Sequence, residues 1–139
     1  SMANQVQTRV LQEGPRNVIV KVAGVLDTSN TSRAAFVNLA NLNANGGMPQ
    51  ASLVGLRLLE ASWSVGTALS VILEWESADP EIIYAFSYGD DAELSDFGGL
   101  APDRGISGYT GNLSFRTVGF TGPTAFSFVA EFAKIFKES

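Results

Sequence analysis

The sequence predicts an all-β fold: an antiparallel β-sandwich, jelly-roll-like or a flattened barrel, of about eight strands. Three observations carry this. Apolar residues recur with a period of two along most of the chain, as in half-buried strands. The alternating runs are rich in Val, Ile, Phe and Trp and are bounded by Gly, Pro, Asn and Asp. No long segment carries the wider apolar stripe of a helix. With 139 residues, 45% of them apolar, the chain suits one domain that buries roughly 70% of its unfolded surface.

The elements follow in order. Val6, Thr8 and Val10 alternate with Gln5, Gln7 and Arg9, and the turn Glu13-Gly14-Pro15-Arg16 follows. Val18, Val20 and Val22 then mark the inner face of a second strand. Asp27 to Ser32 is a polar connection, Ala34–Val37 a short strand, and Asn38–Leu42 a helical turn. Residues 43–49, rich in Asn and Gly, read as a loop. Residues 52–65 form a long apolar strand with a bend or bulge near Glu60, and Gly66 closes the next turn. In 67–76, Leu69, Val71, Leu73 and Trp75 share the inner face, and Ser70, Ile72, Glu74 and Glu76 the outer. After Ser77-Ala78-Asp79-Pro80, one face collects Ile82, Tyr84, Phe86 and Tyr88. Residues 89–111 are expected to be one long Gly- and Asp-rich loop. Residues 112–120 and 124–136 close the fold around Thr121-Gly122-Pro123, with Phe126, Phe128, Ala130 and Phe132 inward. Ser1 ahead of Met2 reads as a tag remnant, so the domain is taken as residues 3–139.

Charge is segregated along the chain. No Lys or Arg lies between Arg57 and Arg104, a stretch that holds ten carboxylates. Residues 1–57, 58–103 and 104–139 carry +3, −10 and +2, for a net −5. Nucleic-acid binding draws its affinity from clustered cations, and the nine here are spread singly. No apolar run approaches the roughly 20 residues of a spanning helix. The chain has no His and no Cys, the commonest acid–base, nucleophilic and metal-binding side chains. No catalytic, cofactor-binding or metal residue is assigned, and no cofactor is expected.

Several motifs point elsewhere, and each has a plainer explanation. Asp90, Asp91, Glu93 and Asp96 are dense enough in oxygen ligands for Ca²⁺, but their spacing is not that of an EF-hand, and a solvated loop accounts for them. Glu74 and Glu76 flank Trp75 and point the same way, as solvent-facing strand residues rather than carboxylates across a sugar. Gly105, Gly108 and Gly111 precede a strand, whereas phosphate-binding glycines precede a helix. Trp63 and Trp75 read as core or interface rather than sugar platforms. Val25-Leu26-Asp27-Thr28-Ser29 resembles the active-site loop of retroviral-type aspartic proteases, which would make Asp27 catalytic. Ser29 stands where that loop has glycine, and an enzyme ranks last.

Both faces of 124–136 and of 53–59 are largely apolar, which calls for a partner over an outer surface. The expected contacts are Phe97, Leu100 and Tyr109 in the long loop. Arg9, Arg16, Arg116 and Lys134 are expected to face Asp90, Asp91, Glu93 and Asp96 across a subunit boundary of a homo-oligomer, with a trimer the leading expectation.

The stretch from Gly14-Pro15-Arg16-Asn17-Val18-Ile19-Val20 through Gly24-Val25-Leu26-Asp27-Thr28-Ser29 resembles a family of small proteins encoded by tailed bacteriophages. So does Phe97-Gly98-Gly99-Leu100 with the Gly105–Gly111 loop and the Phe-rich closing strand. The resemblance implies a non-enzymatic virion structural protein, a capsid decoration or cement protein of β-sandwich type. Its partners would be itself and the major capsid protein, and its place the capsid surface after synthesis in the bacterial cytoplasm. The alternatives are a tail or connector component and a carbohydrate- or receptor-binding β-sandwich module.

Overall fold

The computed structural model describes residues 4–42, 53–94 and 99–137. Nine strands follow in chain order: β1 (Gln5–Glu13), β2 (Asn17–Leu26), β3 (Ala34–Val37), β4 (Leu53–Val65), β5 (Ser70–Trp75), β6 (Glu81–Ser87), β7 (Gly89–Glu93), β8 (Leu113–Val118) and β9 (Thr124–Phe136). A 3₁₀ turn, Leu39–Asn41, follows β3, with Asn38 capping it through a side-chain bond from the Ala40 N–H. The strands form two open antiparallel sheets, ordered β1-β2-β9-β4-β7 and β3-β8-β5-β6. The fold is the expected antiparallel sandwich, with nine strands rather than eight and no barrel closure.

Alternation builds the core. Val18, Val20, Val22 and Leu26 of β2 are fully buried, each at 0% exposure. They face Leu69, Val71, Leu73 and Trp75 of the β5 region, with Phe126, Phe128, Ala130 and Phe132 of β9 beside them. Phe128 is the centre of an aromatic cluster, its ring 5.3 Å from Phe86, 5.5 Å from Phe36 and 6.3 Å from Phe115. Trp63 stacks on Phe86 at 4.5 Å and donates its indole N–H to the Ser87 carbonyl, stapling the two sheets at the β4/β6 side.

Four expectations are corrected. First, residues 89–111 are not one loop, because Gly89–Glu93 pairs with β4 as an edge strand. Second, the face assigned to Ile82, Tyr84, Phe86 and Tyr88 is broken. A bulge opposite Leu73/Glu74 lets Ile83 turn inward and leaves Ile82 54% exposed and Tyr84 half-buried, while Tyr88, beyond the end of β6 with φ +62°, is 68% exposed. Third, Glu74 does not face solvent; it is 2% exposed. Fourth, the apolar 53–59 segment is covered by its own chain. Leu100 bridges Leu58 in both directions, and the Tyr109 hydroxyl donates to the Val54 carbonyl at 2.9 Å. Gly55 permits that approach, since a side chain there would meet the Tyr109 oxygen. The expected bulge near Glu60 is present as a register shift between Leu58 and Glu60 against β9. Residues 43–49 fall outside the described residues.

Candidate functional site: the outer face of the five-stranded sheet

Ladder registry sorts the outward side chains of this sheet into rows that run across all five strands. One row reads Arg9, Lys21, Val129, Ser62, Asp91 from β1 to β7. The next reads Gln12, Ile19, Glu131, Glu60, Glu93. Charge therefore runs from positive at β1/β2 to negative at β9/β4/β7. Arg9 on β1 and Asp91 on β7 are four strand spacings apart, roughly 19 Å, whereas Glu131 on β9 lies only one strand from Lys21 on β2. The separation of the two edges exceeds the roughly 8 Å screening length at physiological ionic strength, so Arg9 and Asp91 do little to neutralise each other within one chain.

Like charges sit directly opposite each other at both ends. Arg9 pairs in register with Lys21, both exposed. Among the described residues, no carboxylate lies within ion-pair distance of Arg9, Arg16 or Lys21. At the other end Glu60 is in register with Glu93 on one side and Glu131 on the other. Hydrogen bonding with Glu93 and then Glu131, reinforced by their negative charge, pushes the Glu60 carboxyl up to about 7. Glu131 also accepts a 2.7 Å bond from the Asn17 side-chain amide, which fixes its orientation. Together with Ile19, Asp91 and Val129, these acids line a shallow cavity of about 380 Å³. Among the described residues no group of three His, Cys, Asp or Glu is placed to hold a metal ion.

The other expected site residues are distributed as follows. Asp90 lies on the opposite side of β7 from Asp91, in register with Trp63. Arg16 is exposed in the β1–β2 turn. Lys134 is withdrawn from the surface: its side chain is 0% exposed, and Nζ lies 2.8 Å from Glu13 and 2.9 Å from the Gly14 carbonyl. Arg116 is drawn to Glu74 at 3.4 Å, an ionic contact rather than a well-directed hydrogen bond. Arg33 holds the same carboxylate through two nitrogens, at 2.7 and 3.2 Å, and this bonding raises its pKa further. The sequence reading missed Arg33, and its signal would have been the need of a buried Glu74 for a cation. Leu100 and Tyr109 are half-buried against the core rather than projecting, and burial pushes the Tyr109 hydroxyl up. Phe97 and Asp96 lie outside the described residues. Asp27 sits just beyond β2, its backbone N–H bonded to Asn4 Oδ1 at 2.8 Å.

No protein-family model matches the chain, and no curated protein is significantly similar to it.

Proposed function

We propose that this is a non-enzymatic structural protein of a bacteriophage virion, a capsid decoration protein that docks on the head shell. The observation that carries the reading is the outer sheet face, where Arg9 opposes Lys21 in register at one end and Glu60 lies between Glu93 and Glu131 at the other. Cross-strand like-charge pairs destabilise a sheet, and a surface that tolerates them is suited to meeting a complementary one. The docking loop and apolar strand faces of the sequence reading give way here to sheet edges and their charged rows. The phage resemblance supplies the setting.

The test is co-sedimentation of the purified chain with undecorated heads of the phage that encodes it. Saturable binding at a fixed ratio to the major capsid protein is expected. Absence of shell binding together with binding on a glycan array would move the protein to the receptor-binding alternative.

A further inference from the structure

We infer that a second copy of this chain docks edge to edge, the β1/β2 side of one subunit against the β7/β4 side of the next, in a cyclic ring. The inference rests on the assembly reading above and names the surfaces that would meet.

Among the described residues no further strand pairs with either lateral edge of the five-stranded sheet, and the two edges differ in kind. The β1 edge is a nine-residue strand, exposed along most of its length, with no proline to blunt it. It carries Arg9, and Lys21 lies beside it on β2. Val10 and Leu11 are 49% and 45% exposed there, and Val25 is 55% exposed on β2. The β7 edge carries Asp90, Asp91 and Glu93, with Glu60 next to it on β4. It is headed by Tyr88, 68% exposed. Each edge thus offers both components of a recognition surface, apolar area and charge, and the charges have opposite sign.

Tyr88 adds an independent observation. Its φ is +62°, a left-handed conformation that a bulky side chain rarely adopts and that costs on folding. The Val65 N–H holds its carbonyl, so the ladder to β4 keeps the ring displayed at the edge.

Geometry makes the match level. Counting across the antiparallel ladders, β1 and β7 run in the same direction. Rotation about an axis along the strands carries each row into the neighbouring copy at the same height. Arg9 and Asp91 already share a row, so the rotation brings them together, with Lys21 behind one and Ser62 behind the other. A heterologous contact of this kind closes into a ring when the rotation divides the circle. The contact would set Arg9 and Lys21 against Asp91, and in the next row it would place Gln12 opposite Glu93.

Sedimentation velocity at tens of micromolar, in low salt and in physiological salt, reads the assembly. The wild-type chain is expected to sediment as an oligomer, with slower association as salt rises. Arg9→Glu with Lys21→Glu makes both edges acidic, and Asp91→Lys with Glu93→Lys makes both basic. Each double variant alone should lose association by at least roughly tenfold. Their equimolar mixture should recover mixed oligomers, from heterodimers upward, joined through contacts between unlike variants, because each basic edge then meets an acidic one. A wild-type chain that stays monomeric in low salt overturns the inference. So do double variants that assemble like wild type, or folded variants whose mixture stays monomeric.

If the charge variants fail to fold, Gln7→Cys and Gly89→Cys serve instead, since the chain has no cysteine and a side chain at Gly89 meets no clash. Gln7 and Gly89 share a row, so a short bismaleimide should join the mixed variants as heterodimers well above either variant alone. Equal or absent cross-linking overturns the inference. Head binding is measured separately. Monomeric chains that still saturate heads refute the ring alone, and rings that ignore heads refute the virion reading alone.

Discussion

Truncating Ile83 to Ala should cost far more stability than truncating its neighbour Ile82. Ile83 is 8% exposed and belongs to the core cluster, whereas Ile82 is 54% exposed on the outer face of the four-stranded sheet. Each substitution removes the three carbons beyond Cβ. At about 0.8 kcal/mol per buried carbon, Ile83 loses roughly 2.4 kcal/mol of transfer free energy. The cavity left among packed neighbours adds to this, within the range of about 2–5 kcal/mol for such truncations. For Ile82 about half the transfer gain is at stake and no cavity forms, so the loss should stay near or below about 1 kcal/mol. The lower strand preference of Ala affects both and drops out of the difference. Urea unfolding followed by tryptophan fluorescence measures both variants. With an m-value of roughly 2 kcal/mol/M, Ile83→Ala should lower the midpoint by about 1 M or more. Equal losses, or a larger loss for Ile82→Ala, would refute the bulge and restore plain alternation through β6.

Glu60 gives a pH dependence with a definite sign. Its carboxyl is raised in the folded state from 4.5 to about 7, so the native protein holds that proton more tightly than the unfolded chain. The associated stability is fully present below pH 4.5 and is lost as pH rises through 7. The groups facing it are Glu93 on β7 and Glu131 on β9, with Asp91 in the next row and Asn17 bonded to Glu131. Glu60→Gln should match wild type near pH 4.5 and exceed it at pH 8, by under about 1 kcal/mol because the site is open to water; urea midpoints across that range check it, and a pH-independent difference would contradict it. Lys134→Met should cost roughly 3 kcal/mol, since it leaves Glu13, 15% exposed, and the Gly14 carbonyl without their buried partner. Adding Glu13→Gln should recover part of that loss, and a double-mutant cycle with no coupling would disprove the pairing.

Much of the fold is legible because a sandwich core is written in alternation. Val18, Val20 and Val22, and Phe126, Phe128 and Phe132, point inward as period two requires, since nothing interrupts β2 or β9. The exceptions have tertiary causes. Gly89-Asp90-Asp91-Ala92-Glu93 has the composition of a loop, and it becomes a strand because β4 offers an open edge. Its charges serve a strand there, since they guard an edge against indiscriminate pairing. The β6 bulge leaves no mark in the sequence because Ile82 and Ile83 are chemically identical. Only the partner strand decides which is buried.

The charge pattern was legible as blocks, but the blocks do not survive folding as blocks. Glu131 comes from the positively charged C-terminal segment and joins the acid row. Lys134, three residues later, crosses to the β1–β2 turn and is buried there. The contrast between these two fates is informative. Inside the fold the chain neutralises its carboxylates: Glu74 lies beneath Arg33 and Arg116, and Glu13 meets Lys134. On the outer face it places Arg9 against Lys21 and Glu60 between two glutamates. Surface opposition of this kind costs only a few tenths of a kcal/mol to about 1 kcal/mol per pair, small enough to coexist with a stable core. Folding gains nothing from it. A complementary edge would gain at encounter, where a concentrated field of one sign speeds and orients approach, while Tyr88, Val10 and Leu11 supply area that outlasts screening by salt.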